Sequence, residues 1–218
     1  MSGAAEYEYT ELCQGVVVLK IKVRNTRFIA VTGVLSAFSF ILMLLDFSVP
    51  LMPGFIKFDF SDLPAIIGSF SMGPAYGAII CLVKNLLHLT VSSTAGIGEL
   101  SNFLISCVYA VTAGIIYKYK KTRTGAVIAS FAASAAAAVF CILSNRLLVY
   151  PLYGTVLGLS NDVILSMYRT VMPSISDLTM AILIFNAPFT LVKGLVNSII
   201  TLLIYKKLSP LLKGKSSK

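Results

Sequence analysis

Eight polar side chains stand inside or against long apolar runs of this sequence: Lys84, Asn85, Glu99, Asn102, Asn145, Arg146, Asn186 and Lys193. A lone charge in hydrocarbon costs on the order of several kcal/mol, so such groups face the protein interior, a wet cavity or an interface. Gathered around a cavity, they are suited to recognising a small molecule: an asparagine amide both donates and accepts, and a lysine only donates. Lys193, flanked by Pro188, Phe189 and Gly194, is the most conspicuous. Parts for catalysis are missing. The single histidine, His88, follows Lys84 by four residues on one helical face, with no acid or nucleophile tied to it by spacing. No G-x-S-x-G motif occurs. Cys13, Cys81, Cys107 and Cys141 lack metal-site spacing, the last three sit in apolar runs, and no metal or bound cofactor is expected. The one Gly-Lys-Ser, at 214–216, has Ser209 where a phosphate-binding loop needs its first glycine, so ATP-driven work would need another subunit. The rival to ligand binding is an intramembrane enzyme built on His88 or Glu99.

The elements that carry these residues follow from composition. The 218 residues are 57% hydrophobic and 12% charged, and a mean hydropathy of +0.87 makes the bilayer the solvent in which the chain is read. Six membrane helices are expected, at 28–45, 63–72, 75–91, 100–117, 126–150 and 181–205, with Gly73-Pro74 marking a turn between the second and third. The net charge of +9 does not indicate nucleic acid, because 13 of the 18 Lys and Arg lie in three blocks beside apolar runs: Lys20 to Arg27, Lys118 to Arg123 and Lys206 to Lys218. Placed on the cytoplasmic side, these blocks put both termini inside, which six crossings satisfy. Two long outer connections result, at about 47–62 and 151–180. The domain plan is a peripheral tail (1–27), a six-helix membrane domain (28–207) and a basic tail (208–218). Gly33 and Ala37, four residues apart in the first helix, leave a groove for another helix.

Together the segments Lys57-Phe58-Asp59-Phe60-Ser61-Asp62-Leu63-Pro64-Ala65, Gly73-Pro74, Lys84-Asn85, Gly98-Glu99-Leu100-Ser101-Asn102-Phe103, Asn145 with Pro151, and Pro188-Phe189-Thr190-Leu191-Val192-Lys193-Gly194 resemble the riboflavin-specific substrate-binding subunit of energy-coupling factor (ECF) vitamin transporters. The resemblance runs from about Arg27 to Lys213. It implies a six-helix bundle that binds one vitamin near the outer surface of a bacterial plasma membrane, under the loop joining helices one and two. It implies as partners a membrane coupling subunit, facing Gly33 and Ala37, and two cytoplasmic ATPases. By the same comparison Asn145 and Lys193 contact the ligand, and Phe58, Asp59 and Phe60 belong to the loop over it. The vitamin is riboflavin; FMN or another vitamin is the alternative, since Lys193 and Arg146 could serve a phosphate.

Overall fold

In the computed structural model, residues 26–50, 52–54 and 56–213 are described, with side chains through Tyr205. The expected tail at 1–27 lies almost wholly outside this range, as do the last five residues of the basic tail. Helix α1 (Thr26–Leu44) leads into a two-residue antiparallel hairpin, β1 (Phe47–Ser48) with β2 (Lys57–Phe58), registered Phe47 to Phe58. Next come α2 (Asp62–Met72), α3 (Pro74–His88), α4 (Ile97–Tyr119) and α5 (Arg123–Ser144). A π-helical turn (Asn145–Val149) continues α5 into α6 (Tyr150–Leu157). Helix α7 (Asn161–Val171) follows, then α8 (Leu178–Ala181), which passes through a second π turn (Ile182–Asn186) into α9 (Ala187–Lys213).

Five of these helical stretches, among the described residues, are long and apolar enough to cross a membrane: Thr26–Leu44, Pro74–Val91, Ile97–Tyr119, Arg123–Leu157 and Leu178–Tyr205. Helix α2 stands where the second expected span does, but its 11 residues reach only ~16 Å at 1.5 Å per residue. It instead packs within the bundle, where Leu63 through Phe70 are all buried. The 151–180 segment, expected as an open connection, is mostly helix. There α7 buries Ile164, Leu165 and Tyr168 along one side, the 3.6-residue pattern of an amphipathic helix, and Ser160 caps its start by accepting from Val163 N.

Small residues set the helix spacing. Ala129, Ala133 and Ala137 of α5 are almost wholly buried against a cluster that includes Tyr109, Tyr117 and Tyr205. Gly77 packs so closely that a Cβ there would sit 2.8 Å from that of Ser69, a backbone approach only glycine permits. The Ser69 hydroxyl donates to Ala110 O at 2.6 Å, tying α2 to α4. Gly73 turns the chain with φ +118°, and Pro74 opens α3, where its missing N–H costs nothing. Large apolar side chains such as Val34, Phe38, Leu147 and Leu203 are exposed around the outside, as expected of a surface facing lipid.

Candidate ligand-binding site

At the end of the bundle that carries the hairpin and α7 there is a cavity of about 880 Å³, its open mouth included. Helix α4 contributes Ser101, Asn102, Ser106 and Tyr109; the α5–α6 helix contributes Cys141, Asn145, Val149, Tyr150 and Tyr153; the last helix contributes Asn186, Phe189, Thr190 and Lys193. The π turns have a cause in the sequence. Pro151 and Pro188 each stand six residues beyond the start of a π turn. A proline offers no N–H and crowds the carbonyl four residues back, here that of Leu147 or Ile184, so the preceding turn widens. Each widened turn sets an asparagine, Asn145 or Asn186, into the cavity wall.

Asn145 and Lys193, 48 positions apart in the sequence, thus meet in one cavity. Asn145 Nδ2 donates to Cys141 Sγ at 3.1 Å, while its Oδ1 accepts a long 3.4 Å bond from Ser101. Lys193 Nζ donates to Asp59 Oδ2 at 2.8 Å, and both side chains are nearly buried. The other Asp59 oxygen accepts from Ser61 N at 2.9 Å and Ser61 Oγ at 2.6 Å. Phe58, Asp59 and Phe60 do not themselves line the cavity; Ile56 and Lys57 from the same hairpin do. Phe58 packs edge-on to Phe60 at 5.3 Å and to the cavity residue Phe189 at 6.0 Å. The hairpin is therefore fastened to α9 by an aromatic contact and by the Asp59–Lys193 ion pair.

Behind the wall is a second buried ion pair. Lys84, wholly inaccessible, donates to Asp62 Oδ1 at 2.6 Å, Ser61 Oγ at 2.6 Å and Ser106 Oγ at 3.3 Å. Ser106 also donates to Asp62 Oδ1 at 2.6 Å. Ser61 therefore touches both ion pairs, and Asp62 and Ser106 reach the cavity. His88 and Glu99 do not line it. Their side chains meet outside it at 2.9 Å, with Glu99 Oε2 accepting from Ser92 and Thr94. This acid for His88 lies 11 residues away across a turn, a separation that carries no periodic signal. Gly33 and Ala37 are exposed on α1, and a Cβ at Gly33 would meet nothing within 4 Å. Arg146 is exposed and absent from the cavity wall.

Sequence reasoning passed over several lining residues. Tyr109 lines the cavity and donates to Gly194 O at 2.6 Å. Cys141, assigned no chemistry, holds Asn145 and accepts from Thr190 Oγ1 at 3.3 Å. Tyr150 of α6 and Tyr168 of α7, also passed over, form a hydrogen-bonded triangle at the cavity edge with Asn186, one of the eight polar residues marked in the sequence. Burial pushes the Tyr168 phenol well above its ordinary pKa, so it remains a protonated donor.

A family model described as the ECF transporter substrate-specific component matches residues 27–205. The chain is 29% identical over 194 residues to the riboflavin transporter RibU of Staphylococcus aureus, covering 89% of this chain and 96% of the relative. It is equally identical, over 194 residues, to the riboflavin transporter FmnP of Bacillus subtilis, covering 87% and 95%. A solved S component of a bacterial ECF transporter superposes with a TM-score of 0.69 at 28% identity, covering 87% of this chain and 99% of the other. The family model spans well over half of the sequence, and the chain belongs to the substrate-specific (S) components of ECF transporters.

Proposed function

We propose that this chain captures riboflavin from outside the cell for ATP-driven uptake, binding it in the cavity between α4, the α5–α6 helix and α9. The observation that carries this is the make-up of the wall. Tyr109, Tyr150, Tyr153, Val149 and Phe189 offer flat and apolar surface, and Asn102, Asn145, Asn186 and Lys193 stand among them. A flavin needs apolar walls for its tricyclic ring and hydrogen-bond partners for its imide edge and ribityl hydroxyls. Asn145 and Lys193 are the first ligand contacts, with Phe58, Asp59 and Phe60 shaping the loop above.

The charge balance favours riboflavin over FMN. Lys193 is matched by Asp59, Lys84 by Asp62, and Lys57 by Asp46 at 2.9 Å. Asp62 itself reaches the cavity. A phosphate would therefore bring net negative charge into a cavity whose lining lysines are already neutralised by carboxylates.

The partners are a membrane coupling subunit and two cytoplasmic ATPases, with the open groove at Gly33 and Ala37 on α1 facing the coupling subunit. The membrane domain, 28–207, sits in the bacterial plasma membrane as six helical segments with α2 as the short second one, and both termini are cytoplasmic. The test is flavin fluorescence quenching on the purified protein, titrated with riboflavin and with FMN. Riboflavin binding at least tenfold tighter is expected. Equal affinities would overturn the charge argument, and binding of neither would overturn the function.

A further inference from the structure

The triangle of Tyr150, Tyr168 and Asn186 is a closed hydrogen-bonded ring. Tyr168 has a single hydroxyl hydrogen, directed to Asn186 Oδ1 at 2.6 Å. Asn186 Nδ2 donates to Tyr150 Oη at 3.0 Å. The Tyr150 hydroxyl is then left to donate to Tyr168 Oη. The ring holds the Asn186 amide with its oxygen toward α7 and its nitrogen toward α6, and one of its two amide hydrogens remains unused. Asn186 and Tyr150 line the cavity; Tyr168 does not, and is fully buried behind them. Its helix is held in turn by Arg169, which donates to Ile175 O at 2.9 Å and to Ser176 O at 3.2 Å.

We infer that Tyr168 is a positioning residue of the ligand site, fixing the Asn186 side-chain amide so that it offers an N–H to a carbonyl acceptor of the bound molecule. The inference rests on the riboflavin reading, since the pyrimidine-dione edge of a flavin carries such carbonyls. Without the Tyr168 hydroxyl, Asn186 Oδ1 loses its anchor and the amide can turn over, presenting its oxygen where the ligand needs a donor. Two widened turns and a short amphipathic helix thereby serve one polar contact, and α7 acts on the ligand without touching it.

The experiment is a double-mutant cycle on riboflavin affinity, by fluorescence quenching, with Tyr168→Phe, Asn186→Ala and the pair. Tyr168→Phe keeps the buried ring and removes only the hydroxyl. Each single change is expected to weaken binding roughly three- to tenfold, the range that one neutral hydrogen bond carries. The pair should bind like Asn186→Ala alone, because Tyr168 acts through that amide. The visible absorption band of bound flavin should also shift in Tyr168→Phe, and should be the same in Asn186→Ala with or without it. Multiplying effects, or an unaltered band in Tyr168→Phe, would mean that Tyr168 serves only packing and would overturn the inference. If Tyr168→Phe fails to insert, Tyr150→Phe opens the same ring, and its cycle with Asn186→Ala is read by the same criteria. Should the unaltered chain bind no riboflavin, the functional reading itself falls and the inference with it; binding with additive effects removes the inference alone.

Discussion

Replacing Lys193 by Met keeps most of the side chain's bulk and removes its charged head, which has two separable consequences. The first concerns the ligand. A hydrogen bond from a charged donor contributes about 1.5–3 kcal/mol, so riboflavin should bind roughly 10- to 150-fold more weakly. The second concerns Asp59, whose Oδ2 loses its 2.8 Å partner while the side chain stays buried. Breaking a buried ion pair from one side costs about 3–5 kcal/mol, because the remaining charge is left uncompensated. Lys193→Met should therefore lose both affinity and thermal stability. Adding Asp59→Asn removes the stranded charge, and the amide oxygen it introduces can still accept from Ser61. The double variant should recover most of the stability and little of the affinity. Fluorescence quenching and thermal unfolding in detergent read the two quantities separately. If the double variant regained wild-type affinity, Lys193 would serve only to hold Asp59, and the ligand contact assigned to it would be wrong.

Three further outcomes are expected. Gly33→Leu should leave riboflavin binding unchanged, since a side chain there meets nothing within 4 Å of its Cβ, while reducing uptake in cells that carry the partner subunits; loss of both together would argue against α1 as the coupling face. Lys84→Met strands Asp62 in the interior and should destabilise the protein by about 3–5 kcal/mol, read as a lowered unfolding midpoint that Asp62→Asn in the same chain partly restores. A cysteine added at either terminus should be shielded from an impermeant thiol reagent in intact cells and react once they are opened; labelling from outside would overturn the cytoplasmic placement of the termini.

The long helices were legible because uninterrupted apolar runs have few alternatives, and the α2–α3 break because glycine followed by proline admits little else. The shared location of Asn145 and Lys193 was accessible through family resemblance. Physical periodicity alone cannot bring together residues 48 positions apart. Helix α7 was missed for a different reason: its apolar residues Ile164, Leu165 and Tyr168 recur at helical spacing, but among enough polar residues to read as a connection. The π turns did leave a trace, a proline six residues beyond the start of each, overlooked because a proline in an apolar run suggests a kink before it suggests a wider turn. The ion pairs Lys84–Asp62 and Lys193–Asp59 span 22 and 134 residues. Opposite charges in apolar runs announce that partners exist without saying which.

The shortness of α2, together with the wholly buried Lys84, bears on how the chain enters the membrane during synthesis. On its own α2 is less than two-thirds of the ~30 Å hydrocarbon thickness and carries an acid at its start. On its own α3 presents a lysine to lipid. Closed about Gly73 and Pro74, the two form a hairpin whose charges cancel and in which the Ser61 hydroxyl accepts a further bond from Lys84. Entering as a pair would let Lys84 and Asp62 meet before either segment faces lipid. A nascent chain halted between the two helices should remain in the insertion machinery until Lys84 emerges.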